Sequence, residues 1–343
     1  MSTNPIIENA LAVPRVFKTL NAARNFNKEN TVPLTTPGQS QFNMRSAMDL
    51  DPRLGKALSK ISFRSTPASA WTLADPASSR FIDLAEIDDA VTGVQRDGCY
   101  VFKHTVDQSI STAIREFAEQ APTIARGANT PAAPYPRETP QVGRYDLEET
   151  IALQCPEVQE FATDPAMALI AQKYLGQPVL MDEIAFWWTT TQRAEDANLN
   201  AQMFHQDRDR LSFLKFFIFL TDVTPETGPH VYLKGSHRRI PWHLRKDGRI
   251  TDDAVAAAGL WGNVVELYGP AGTVMAVDTI GLHKGKTPTA GDRLALESEF
   301  STSLFGNEYE RPSFVPTELV RQRFAEMPWV LQRYADSVQL TAR

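Results

Sequence analysis

The chain has 343 residues, 42% of them hydrophobic and 22% charged, with a net charge of −6, which suits one large domain or two modest ones. An acidic balance without a dominant basic footprint argues against a nucleic-acid partner. No run approaches the roughly 18 apolar residues of a membrane span, and the Met1–Pro5 start lacks the basic and apolar blocks of a secretory signal. Cys99 and Cys155 are too few for a disulfide framework or a thiolate metal site. Two reduced thiols fit a cytoplasmic protein, and the expected partner is a small molecule.

Residues 1–80 read as an extended or loosely ordered arm, because Asn, Ser, Thr and Pro recur without sustained periodicity. A single domain is expected over 81–343. Its first part, about 81–178, reads as a helical buttress. Asp83–Val94 is helical in pattern, Asp97-Gly98 is a turn, and Cys99–Phe102 is an apolar strand. Val106–Ala121 places Ile110, Ile114 and Phe117 on one helical face. The Pro- and Ala-rich stretch Gly127–Pro140 is a long loop, placed to act either as a lid or as a surface excursion. Pro156–Tyr174 is the next helix, stopped at Leu175-Gly176.

From about 179 to 302 the texture turns to strands at Val179–Thr191, Leu211–Leu220, His230–Leu233, Thr273–Val277 and Leu294–Phe300, separated by Gly and Pro turns. A helical tail is expected over 303–343. Helices followed by strands predict a mainly β protein with flanking helices around a sandwich or jelly roll.

The chemistry concentrates in Phe204-His205-Gln206-Asp207 and, far downstream, Leu282-His283-Lys284-Gly285. On an extended strand His-x-Asp presents both side chains on one face. A distant strand bringing a second imidazole would complete three donors on one side of a metal, leaving other positions open, as the 2-His-1-carboxylate triad requires. His205, Asp207 and His283 are therefore the candidate catalytic metal ligands, and the donor set suits Fe(II). Arg293 opens the strand after His283, where its guanidinium could grip a carboxylate with two parallel hydrogen bonds. Asp209 is a rival acid with poorer geometry.

Four blocks carry a more specific resemblance: His205-Gln206-Asp207, Phe216–Val223, Glu226-Thr227-Gly228-Pro229 and Gly235-Ser236-His237-Arg238. In order and spacing they resemble the phytanoyl-CoA dioxygenase-like family. Asp97–Phe102 and Tyr174-Leu175-Gly176 resemble its opening strand and the leader into its core, so the likeness spans about Asp83 to Thr302. The resemblance implies a double-stranded β-helix (jelly roll, cupin-like) core and an Fe(II)/2-oxoglutarate-dependent dioxygenase using O₂. The iron would be held by His205, Asp207 and His283, and the far carboxylate of 2-oxoglutarate by Arg293. The reaction would hydroxylate or otherwise oxidise an aliphatic C–H of a small metabolite, releasing succinate and CO₂. Asp207 disfavours halogenation, since halogenases of the family lack that carboxylate.

One position departs from the family pattern. Relatives often carry a hydroxyl residue two places after the distal histidine; here it is Gly285, so the helper falls to Thr287 or to a residue on another strand. By position Phe217, Trp188 and Gln202 are candidates for the co-substrate pocket, with a core role the alternative for the two aromatics. His230 and His243 are candidates for substrate contact, and Arg137, Arg144 and Tyr145 for a lid. Arg238, Arg239, Arg245, Lys246 and Arg249 form a basic run that is either a rim attracting an anion or a solvated loop. Two other classes use the same barrel: an oxygen-independent metal-dependent isomerase or hydrolase that would not need Arg293, and a non-catalytic jelly-roll binding protein.

Overall fold

The strand-rich second half of the sequence forms two facing antiparallel sheets in the computed structural model, which describes residues 5–28, 38–62, 66–192, 201–245, 248–307 and 310–340. The segment expected to be an extended arm is instead helical: α1 (Pro5–Lys28), α2 (Gly38–Met48) and α3 (Arg53–Ser62). These helices bury Ala23, Met44, Ala47, Met48 and Leu58 against Leu211, Phe213, Ile280 and Phe305 of the main body. α3 has a helical apolar period of its own in Leu54, Ala57, Leu58 and Ile61, whereas α1 and α2 lack a strong one and depend on tertiary contact.

Next come α4 (Ile87–Asp97), β1 (Cys99–Thr105), α5 (Gln108–Gln120), β2 (Pro122–Ala125), β3 (Ala133–Pro134) and β4 (Arg144–Leu147). The Asp107 carboxylate caps α5 by accepting from the Ser109 N–H at 2.7 Å. The long loop is tied down. Tyr135 stacks on Trp188 with ring centroids 4.6 Å apart, and Arg137 pairs with Asp292 at 3.0 Å.

The helix expected over Pro156–Tyr174 is broken in two. After α6 (Glu149–Ala152), α7 (Pro156–Ala162) ends before Asp164, and α8 (Pro165–Leu175) starts at a proline. Pro165 drives Asp164 out of helical conformation, and the Asp164 carboxylate then accepts from the Ala166 and Met167 N–H groups at 3.0 Å. Gly176, at φ 65°, ends α8.

The remaining elements are β5 (Leu180–Thr189), β6 (Phe213–Phe219), β7 (His230–Leu233), α9 (Asp252–Ala257), β8 (Val264–Leu267), β9 (Thr273–Val277), β10 (His283–Gly285), β11 (Arg293–Ser301), α10 (Glu318–Glu326) and α11 (Ala335–Leu340). The large sheet runs β1-β9-β6-β11-β5-β4-β2-β3 and the small one β10-β7-β8. This is the expected jelly roll with helices on its outer face.

Both faces of the large sheet are covered, so β6 and β11 read as unbroken buried runs and not as alternating ones. The period of two still sorts their side chains. Leu214, Phe216, Ile218, Leu294, Leu296, Ile184, Phe186 and Trp188 join the core beneath the helices. Phe217, Phe219, Ala295, Trp187 and Met275 turn the other way, toward Tyr232 and Leu267 of the small sheet.

Gly98 links the two layers. It ends α4 at φ 89°, and a Cβ there would collide with the Tyr232 hydroxyl and the His237 ring. Gly98→Ala is expected to cost more than about 1 kcal/mol through backbone strain and collision. A thermal unfolding midpoint equal to that of the wild type would refute this.

Candidate metal centre

The backbones of His205 and His283 exchange two hydrogen bonds, the N–H of each donating to the carbonyl of the other at 2.9 and 3.0 Å. The segment carrying His-x-Asp is not a full strand, contrary to expectation. Phe204 and His205 make only isolated bridges, to Ile250 and His283, and the Asp207 N–H then donates to Thr279 O at 2.8 Å. The extended path is kept even though the ladder is not.

This pairing places the His205 and His283 rings 4.2 Å apart. Each Nε2 stands 3.6 Å from an Asp207 carboxylate oxygen, and one donor atom from each of the three residues lies within 4.8 Å of the others. The two Nδ1 atoms are engaged by backbone carbonyls, Met203 O at 2.9 Å and Gly281 O at 3.0 Å. With Nδ1–H donated there, each Nε2 lone pair faces Asp207, the tautomer a metal requires. Burial, with His283 beside it, lowers the His205 pKa to about 3 and keeps that ring neutral. Burial opposes the Asp207 charge, but the Lys215 ammonium 3.1 Å away leads the groups that outweigh it and hold the carboxyl below its ordinary range. Two imidazoles and a carboxylate fit a divalent iron.

The three residues open into a cavity of about 670 Å³ whose wall also includes Arg293, Phe217, His230, Trp187, Arg144 and Gly285. Arg293 is buried, its guanidinium donating to Gly228 O and, at 3.1 Å, to the Thr189 hydroxyl. Burial and then the neighbouring Arg144 lower its pKa to about 9. Gly285 explains its own departure from the family pattern: a Cβ there would stand 3.3 Å from Arg293 Nη2, so glycine leaves room for the guanidinium.

Several sequence expectations are redirected. The hydroxyl that touches Arg293 belongs to Thr189 on β5, and Thr287 is not among the described cavity-lining residues. Trp188 is fully buried beneath the helices; its neighbour Trp187 faces the cavity, because adjacent strand residues point to opposite faces. Phe217 does line the cavity, packing 5.1 Å from the His230 ring. Gln202 is half-buried and does not line it, although Ala201 beside it does.

His230 stacks on His283 with ring planes 1° apart, whereas His243 is exposed and off the cavity. Among the lid candidates only Arg144 reaches the wall; Arg137 is held by Asp292, and Tyr145 is buried in the core. Of the basic run, Arg249 lines the cavity, Arg238 and Arg239 are exposed, Arg245 donates to Leu50 O and Ile240 O, and Lys246 lies outside the described residues.

Sequence reasoning passed over Arg45, Glu183, Lys215 and Glu297, all of which line the cavity. The available signal was charge inside an apolar strand run, a single Lys215 in β6 and the alternate residues Glu297 and Glu299 in β11.

The fold and this cavity define the iron- and 2-oxoglutarate-dependent oxygenase class. The family model described as phytanoyl-CoA dioxygenase (PhyH) matches residues 94–295, more than half of the chain, and the protein belongs to that family. Comparison with curated proteins found no match. Among solved structures the chain is similar to the epimerase SnoN from nogalamycin biosynthesis, at 15% identity and TM-score 0.47 over 64% of this chain and 84% of that one. It is also similar to EctD from S. alaskensis, at 16% identity and TM-score 0.47 over 68% and 84% of the two chains. A third likeness is HygX from Streptomyces hygroscopicus with nickel, 2-oxoglutarate and hygromycin B bound, at 16% identity and TM-score 0.44 over 68% and 93%.

Burial raises the Glu183 carboxyl to about 8 from an ordinary 4.5. The unfolded chain ionises over that window while the folded one keeps its proton, so folding stability falls as pH rises. Glu183→Gln removes this titration. Its stability relative to wild type should therefore grow between about pH 5 and about pH 8; a pH-independent difference in unfolding midpoint would count against the assignment.

Proposed function

We propose that His205, Asp207 and His283 hold Fe(II), that Arg293 with Thr189 binds the far carboxylate of 2-oxoglutarate, and that the enzyme hydroxylates an aliphatic C–H of a small metabolite. The observation that carries this reading is the convergence of three donor atoms in the same cavity as a buried arginine. Bound iron with 2-oxoglutarate and O₂ would supply the oxidising power, with succinate and CO₂ as co-products.

The chain's own residues orient and exclude. Met203 O and Gly281 O fix the two imidazole tautomers. Lys215, 3.1 Å from Asp207 Oδ2, holds one carboxylate oxygen and so leaves the other for a metal. Thr189 and Gly228 O aim the Arg293 fork, while Phe217 and Trp187 add apolar wall to the same cavity. Asp207 favours hydroxylation over halogenation, since its carboxylate takes the place a halide would need. An oxygen-independent isomerase would have no use for a buried arginine aimed into the same cavity.

No helix among the described residues is long and apolar enough to cross a membrane. Cys99 and Cys155 are free and buried, which fits a reducing cytoplasmic setting.

The test is anaerobic addition of Fe(II) and 2-oxoglutarate, followed by O₂. Wild type should develop the visible charge-transfer absorption of the chelate and then release succinate, whereas His205→Ala should do neither while retaining its circular dichroism. Succinate release by that variant at the wild-type rate would end the reading. Arg293→Lys should weaken 2-oxoglutarate binding by about tenfold to a hundredfold, the loss of one charge-assisted hydrogen bond. Unchanged affinity by calorimetry would remove Arg293 from its proposed role.

A further inference from the structure

The inward row of the large sheet carries charges where a jelly roll would ordinarily place apolar side chains. Along β11 it runs Arg293, Ala295, Glu297, Glu299, and along β5 Thr189, Trp187, Ala185, Glu183. The register pairs Glu299 with Glu183 on one side and with Lys215 of β6 on the other. The arginine end and the glutamate end are thus separated by Ala295, Ala185 and Trp187, with the candidate metal donors opening onto the same space.

Carboxylate oxygens of Glu183, Glu297 and Glu299 lie within 4.8 Å of one another. Glu183 and Glu297 face the cavity. Glu299 lies behind them at 0% exposure, and neither of its carboxylate oxygens accepts a hydrogen bond from the described residues.

Among the described residues, the cation in contact with Glu297 and Glu299 is the Lys215 ammonium. Lys215 Nζ stands 2.8 Å from Glu297 and 3.4 Å from Glu299, but also 3.1 Å from Asp207 and 3.8 Å from Asp209. One ammonium is shared among four carboxylates. Arg210 is committed to Asp182 through two 2.7 Å hydrogen bonds, and Arg144 and Arg126 on the cavity wall are committed to Asp146 at 2.7 and 2.8 Å. Arg45 stands 4.0 Å from Asp209. Buried carboxylates without matching cations are costly, and burial accordingly raises the pKa of both Glu183 and Glu299. A cation entering the cavity would relieve that cost. An apolar chain placed there would aggravate it.

We propose that the substrate carries a protonated amine or guanidinium group, bound by Glu183 and Glu297 with Glu299 behind them. The carbons next to that nitrogen are thereby held before His205, Asp207 and His283. This proposal rests on the metal-centre reading above for its chemistry, but the amine site can be tested without it.

The probes are four five-carbon compounds of similar length: cadaverine, δ-aminovalerate, glutarate and pentanediol. Each is titrated calorimetrically into the apo chain and into the chain loaded anaerobically with Mn(II) and 2-oxoglutarate, which occupies the Arg293 end. In both forms cadaverine should bind at least about tenfold more tightly than pentanediol, about 1.4 kcal/mol. That preference should fall below about twofold in the Glu183→Gln, Glu297→Gln double variant. The variant is scored as folded by its circular dichroism and by a retained first equivalent of Mn(II).

Pentanediol binding as tightly as cadaverine in either form, or glutarate doing so in the loaded form where the Arg293 end is occupied, would overturn the proposal, as would undiminished cadaverine affinity in the double variant. A second equivalent of Mn(II), bound by wild type and lost in the variant, would also overturn it by assigning the glutamates to an inorganic cation. If wild type binds neither Mn(II) nor 2-oxoglutarate, the metal-centre reading fails, while cadaverine binding to the apo chain still decides the amine site.

Discussion

The reciprocal hydrogen bonds between the His205 and His283 backbones are the constraint on which the site depends. They join two segments far apart in the chain at one register, so the rings lie side by side, and the Asp207–Thr279 hydrogen bond then brings the carboxylate to the same place. β10 is only three residues long and is itself held by pairing with β7. Preorganisation therefore comes from backbone ladders in the small sheet, while the side chains need only one further hydrogen bond each to fix their tautomers.

The large sheet supplies the rest of the cavity through the parity of its strands. Over Glu183–Thr189 of β5, Leu214–Phe219 of β6 and Arg293–Glu299 of β11, the apolar even-numbered residues build the core under the helices and the apolar odd-numbered ones face the small sheet. The register shift after Glu299 puts Met181 in the former, and Phe213 packs with the N-terminal helices. That inner face is mixed in character. Phe217, Trp187 and Ala295 give it apolar cohesion, whereas Glu183, Lys215, Glu297, Glu299 and Arg293 bring in charge that folding alone would not favour. The larger apolar cluster lies on the other face, beneath the helices.

The N-terminal helices are part of this construction. α2 brings Arg45 to the cavity wall. Asp49 pairs with the buried Arg208, and Leu50 O accepts from Arg245. The segment after His205 is thus braced from outside the jelly roll, by residues that lie outside the family match over 94–295.

His-x-Asp, the distal His-Lys-Gly and the Gly-Ser-His turn were legible in the sequence because each is a local pattern, and the apolar strands announced a β core because burial imposes composition. Local pattern could not choose between Trp187 and Trp188, since two adjacent aromatics satisfy either parity until the helices cover one face. Nor could it rank Thr287 against Thr189 beside Arg293, because strand pairing across the sheet makes that contact. Residues 1–80 looked disordered because polar residues break the period of α1 and α2, which form by docking on Leu211, Phe213 and Ile280. Glu183, Lys215, Glu297 and Glu299 would each read alone as a solvent-facing position. The sequence by itself determined the family, the β core and the candidate donor set. Tertiary structure decided which charges are enclosed together, because a side chain's surroundings depend on strands that the chain order does not place beside it.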